Sequence, residues 1–122
     1  MTAYEDAVQR YFVAWNAATP EDLEKAVAAA FTETATYTDP VADVRGHDEL
    51  TATINGAHQQ FPGFEFRLTD TPDGHHDIVR FSWELVSATD GSAPVAGSDV
   101  IKLDDDGRIA SVSGFLDRVP GA

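Results

Sequence analysis

Residues 7–42 read AVQRYFVAWNAATPEDLEKAVAAAFTETATYTDPVA, and this stretch decides the architecture. Val8, Tyr11, Phe12 and Trp15 recur at helical spacing, as does Tyr4 just upstream, so one face of a first helix is apolar. Thr2 and Glu5 stand at capping-box spacing before it. Thr19 then offers an N-cap oxygen. Pro20 takes the first helical position, where its missing N–H costs nothing. Leu23, Ala26, Val27, Ala30 and Phe31 make the stripe of this second helix. Residues 34–39, TATYTD, are β-branched and aromatic and predict a short strand. Pro40 ends it and holds Asp39 out of the helical region.

The pattern continues on the C-terminal side. After a loop to Gly46, residues 47–60 predict a third helix, with Leu50, Ile54, Ala57 and Phe61 on its buried side. Asn55-Gly56 weakens that helix and Pro62-Gly63 stops it. Phe64, Phe66 and Leu68 alternate with Glu65 and Arg67, as in a half-buried strand. Residues 71–74 (TPDG) predict a turn. A long strand follows over about residues 76–87, with Val79, Phe81, Trp83 and Leu85 on one face. Residues 95–103 and 108–116 predict two more strands, joined by a hairpin turn at 104–107 (DDDG). The expected fold is α+β. Three N-terminal helices cover one face of a curved antiparallel sheet, giving a cone with an internal apolar pocket in a single domain over 1–122.

Composition narrows the function. With 122 residues, the chain can bury one core without staples. It has no cysteine, which excludes disulfides, thiolate metal sites and a cysteine nucleophile. The opening MTAYEDAVQR lacks the basic start and apolar run of a signal peptide. No stretch approaches the roughly 18 apolar residues of a membrane span. A cytoplasmic location is expected. The net charge of −13, from 21 acids and 8 bases, repels phosphate backbones and anionic lipids. Neither nucleic acid nor membrane is an expected partner.

Three polar residues share faces with core residues. Asp99 lies on the side of Val95, Ile101 and Leu103, because side chains alternate along a strand. Asp39 shares a side with Ala35 and Tyr37. Tyr11 sits inside the stripe of helix one. Each also has a structural reading: a core phenol satisfied locally, a turn aspartate before proline, or an Asp99 turned outward by a β-bulge. A carboxylate on a buried face otherwise needs a partner or a proton.

Residues 7–42 resemble the opening of ketosteroid isomerases, which pair R-Y on helix one with A-T-x-x-D-P after helix two. Residues 97–109, GSDVIKLDDDGRI, resemble a later strand of those enzymes, with Asp99 eight residues before Gly107. FPGFEF (61–66), TPDGHHDIVRFSWEL (71–85) and GRIASVSGFLD (107–117) are more similar to SnoaL-like polyketide cyclases. Both groups belong to the nuclear transport factor two-like superfamily. The resemblance implies that Asp39 is a general base beside a carbonyl. It implies that Tyr11 and a protonated Asp99 donate hydrogen bonds to the enolate oxygen. No cofactor or metal is implied. It also implies a homodimer formed through the outer sheet face.

The pocket is expected to be lined by Trp15, Phe31, Ile54, Val79, Phe81, Trp83, Val112 and Leu116. Phe31 and Ile54 stand where some isomerases carry further tyrosines, so Tyr11 is expected to lack that network. Trp83 stands where they carry a smaller residue, so a smaller pocket is expected.

Other signals carry less. His75 and His76 are adjacent on a strand and point to opposite faces, which argues against chelation of one ion; one of them reaching the pocket stays open. His47 and His58 share nearly one side of helix three. The acidic turn at 104–107 lacks the spacing of a calcium loop. Arg80 is expected to face solvent or a partner, which opposes epoxide hydrolysis by paired Asp residues and an Arg. The leading expectation is a proton-transfer isomerase or cyclase for an apolar ketone or polyketide-like compound. The alternative is a non-catalytic protein that binds a small apolar ligand or acts as a dimeric accessory module.

Overall fold

The computed structural model describes residues 2–121. Helices α1 (Ala3–Trp15) and α2 (Pro20–Ala30) lead into strand β1 (Phe31–Thr38). A short strand β2 (Asp43–Arg45) and helix α3 (His47–Gln60) follow. Then come β3 (Phe64–Leu68), β4 (Asp73–His75), β5 (Ile78–Ser87), β6 (Val95–Leu103) and β7 (Ile109–Arg118). The helices begin where their caps predict. The Thr2 hydroxyl accepts from the Glu5 amide at 3.1 Å, and the Glu5 carboxylate accepts from the Thr2 amide at 3.3 Å. The Thr19 hydroxyl accepts from the Asp22 amide at 3.1 Å. Each cap satisfies a backbone donor that the helix cannot. No side chain caps α3; its start rests on Gly46, whose φ of +87° suits only glycine.

The strands form one curved, unclosed sheet in the order β2-β1-β7-β6-β5-β3, with β4 also on β5. Every pairing is antiparallel except β1 with β7, which is parallel. This makes the sheet mixed where an antiparallel one was expected. Two segments expected as loop and turn are short strands, because their backbones find partners. β2 pairs with β1, and β4 pairs with β5. At Gly74 the β4 backbone lies under the Tyr4 ring, where an added Cβ would sit 2.6 Å from Cγ.

The helices pack on the inner face of the sheet. Asn16, at the end of α1, bonds both backbone groups of Phe66: its amide donates to the carbonyl at 2.9 Å, and its oxygen accepts from the N–H at 2.8 Å. His58 and His47 place a ring nitrogen 2.5 Å from the Trp15 carbonyl and 3.0 Å from the Phe31 carbonyl. A carbonyl can only accept, so both nitrogens carry hydrogens. They fasten α3 to the end of α1 and the start of β1. Phe31 and Phe81, 0 and 1% exposed, anchor the core. Each contributes about 2–3 kcal/mol by burial. That offsets the roughly 1–3 kcal/mol cost of a polar group buried beside them without a full set of partners.

Candidate active site

Alternation on β6 carries the residue that matters most. Val95, Gly97, Asp99, Ile101 and Leu103 all point inward, and Asp99 is 2% exposed. No bulge turns it out: it stands opposite Phe81 on β5 and Gly114 on β7. Tyr11 of α1, 3% exposed, donates its hydroxyl hydrogen to Asp99 Oδ2 at 2.7 Å. Phe81 and Phe31 meet the Tyr11 ring edge-on at 5.3 and 6.0 Å and fix its direction.

Asp39 lies just beyond the end of β1. Its Oδ1 accepts from the amides of Val41 and Ala42, each at 2.8 Å. This is the turn role that an aspartate before proline suggests. Its Oδ2 accepts from the Tyr37 hydroxyl at 2.6 Å. Asp39 therefore shapes its own loop and also presents a carboxylate to the interior. Gly114 brings the two acids together. A Cβ added there would lie 2.8 Å from Asp99 Oδ1 and 3.3 Å from Asp39 Cβ. The strand between β1 and β6 thus has no side chain where the Asp99 carboxyl and the base of the Asp39 side chain cross it.

These groups line a cavity of about 530 Å³, within the usual range for small-molecule sites. Tyr11, Tyr37, Asp39 and Asp99 supply its polar floor. Phe12, Trp15, Phe66, Trp83, Leu85 and Leu116 give much of its apolar wall. Of the expected lining residues, Trp15, Trp83 and Leu116 are on the wall. Phe31, Ile54, Val79, Phe81 and Val112 are not. They are at most 1% exposed and form the packed layer behind it. Val79, Phe81, Trp83 and Leu85 do share a face of β5, but Tyr11 and Phe12 of α1 lie over Phe81 and fill that end. Trp83 packs over Gly97, where an added Cβ would fall 2.3 Å from its ring.

Burial pushes the Asp99 carboxyl up to about 6, against the opposing pull of the Tyr11 hydroxyl and the Trp83 indole; the charges of Asp39 and Asp117 also push it up. At pH 7 this leaves a minority of molecules with a neutral Asp99, on the order of one in ten. Burial, then the charge of Asp99, hold the Tyr11 phenol well above its ordinary value, so it stays a donor. Burial and the hydrogen bond to Asp39 raise the Tyr37 phenol in the same direction.

Tyr37 is the polar residue the sequence reading passed over. Its position gave a signal, since it shares a face with Asp39 two residues on. Helices α2 and α3 carry no tyrosine, and the second phenol comes from β1. His75 and His76 are both exposed and away from the cavity. Arg80 is exposed and pairs with Asp73 at 3.1 Å, as alternation requires.

A helix-covered, curved, unclosed sheet is the fold of nuclear transport factor two-like proteins. The SnoaL-like domain model matches residues 8–112, and the chain belongs to that family. It is 42% identical to a SnoaL-like family protein from Agrobacterium tumefaciens strain C58, provisionally assigned as an isomerase. The TM-score is 0.90, with 96% of this chain and 99% of that one covered. A protein from Jannaschia sp. CCS1, provisionally assigned as a SnoaL-like polyketide cyclase, is 19% identical with a TM-score of 0.77, over 94% of this chain and 85% of that one. A nuclear transport factor two-like protein of unknown function from Exiguobacterium sp. 255-15 is 20% identical with a TM-score of 0.70, over 91 and 98%. At those identities the last two speak for the fold alone. No curated protein matches. Among the described residues no helix is long and apolar enough to cross a membrane.

Proposed function

We propose that the cavity is a proton-transfer site acting on an apolar ketone, as an isomerase or cyclase without a cofactor. The observation that carries this reading is the meeting of Asp39 with the Tyr11–Asp99 pair over Gly114. Asp39 would take the proton beside the carbonyl. Tyr11 would turn its hydrogen toward the developing enolate oxygen, with the Asp99 proton shared behind it. A preorganised donor aimed at developing charge typically contributes about 3–4 kcal/mol to such a step. An apolar ligand that expels water shifts Asp99 further toward its neutral form, because desolvation disfavours the charge. Where the ketone is unsaturated, the proton on Asp39 then returns to a different carbon of the dienolate. The provisional isomerase assignment of the Agrobacterium tumefaciens relative agrees with this chemistry.

The alternative, a non-catalytic pocket for an apolar ligand, is favoured by one detail. Asp39 Oδ1 is fully engaged by its own loop amides. Solvent deuterium exchange at carbons adjacent to the carbonyl of an unsaturated ketone separates the two. Exchange above the buffer rate is the expected result. Tight binding with no exchange would leave the carrier reading in its place.

A homodimer through the outer sheet face belongs to the same proposal. Phe115 on β7 is 61% exposed there and would be covered in such a dimer. Light scattering should give twice the 13.1 kDa chain mass; a single-chain mass would end the idea.

A further inference from the structure

We infer that Tyr37 selects the ligand: its hydroxyl, held on Asp39, is the donor for a second ligand oxygen, so the cavity takes a compound with two acceptor oxygens over a monoketone of equal bulk. This deepens the reading above by naming a substrate class. It rests on that reading only in taking the cavity as the ligand site.

The argument is a count of hydrogen-bonding positions. A carboxylate offers about four. Three on Asp39 are occupied, by the Val41 and Ala42 amides and by Tyr37. Tyr11 serves Asp99 in the same way. The floor therefore carries two phenol–carboxylate pairs rather than one. A single carbonyl oxygen can draw the hydrogen of Tyr11, but Tyr37 then stays closed on Asp39 Oδ2. A second oxygen, in enol form, can accept from Tyr37 and give its own hydrogen to Asp39. Asp39 keeps the same number of bonds, and the enol exchanges its internal hydrogen bond for a charge-assisted one to the carboxylate.

The phenol can make this change cheaply. Its ring is fixed, tilted against Trp15 at 5.5 Å, while its O–H rotates to suit its partner. The cavity floor thus offers two phenol donors, more than one ketone oxygen draws on.

The test reads binding rather than turnover, so it can fail separately from the proton-transfer reading. Calorimetry would compare 2-acetyl-1-tetralone, a β-diketone, with 2-isopropyl-1-tetralone, which has similar bulk and one oxygen. The wild-type chain should bind the diketone about three- to tenfold tighter, the worth of one net hydrogen bond. Tyr37→Phe should bring the two ligands within twofold. Equal affinities in the wild type would overturn the inference without any variant. So would a preference that survives in Tyr37→Phe.

Discussion

Asp39→Asn should lower the rate of α-proton exchange by about 10²–10⁴-fold, the range that a positioned general base contributes. The replacement keeps an oxygen for the Val41 and Ala42 amides, so the loop after β1 should hold its shape. What it removes is the lone pair that accepts the proton. Thermal unfolding should therefore move little while exchange collapses. A variant that exchanges at the wild-type rate would remove Asp39 from the chemistry and leave it a turn residue. Ligand affinity offers a second measure. A base lost from an intact cavity leaves binding of a monoketone within a few fold.

The second large effect is on stability, and its sign follows from Asp99. Its carboxyl is raised from 3.8 to about 6 in the folded chain, chiefly by burial. Between those values the folded state holds a proton that the unfolded chain has released. Stability from this group is therefore fully present below about pH 4 and is lost as pH rises through about 6. The loss amounts to about 3 kcal/mol, an order-of-magnitude figure from a shift of about two units. Asp99→Asn keeps an acceptor for the Tyr11 hydroxyl and cannot ionise. In urea unfolding it should exceed the wild type by about 1–3 kcal/mol at pH 8, with the advantage vanishing near pH 4. A difference that stays flat across that window would mean Asp99 carries no penalty for its charge. Other acids oppose the trend; Asp106, for one, is lowered to about 2. They are common to both chains and cancel in the comparison.

Much of this arrangement is legible in the sequence because it is written in local rules. Caps at Thr2 and Thr19 start the helices, and period-two alternation sends Asp99 inward with Ile101. The parallel pairing of β1 with β7 is not legible this way. It joins residues separated by most of the chain, and no local pattern records the hand of such a pairing. Depth is hidden for a related reason. Phe81 and Trp83 occupy equivalent places in the pattern, yet only Trp83 reaches the cavity, because Tyr11 and Phe12 of α1 lie over Phe81. Tyr37 was visible as an inward residue. Its meaning depended on where the Asp39 carboxylate would turn, and that is set by the amides of Val41 and Ala42.

The place of β7 in the sheet has a consequence for how the chain is made. Residues 109–118 slot between β1 and β6, so both of those strands keep a bare edge until this segment leaves the ribosome. Bare edges template pairing between chains, and a nascent or prematurely terminated product would present two at once. Its Asp39 and Asp99 would also lack the glycine over which they meet. Synthesis through β7 therefore covers two inner edges and assembles the candidate site in a single step.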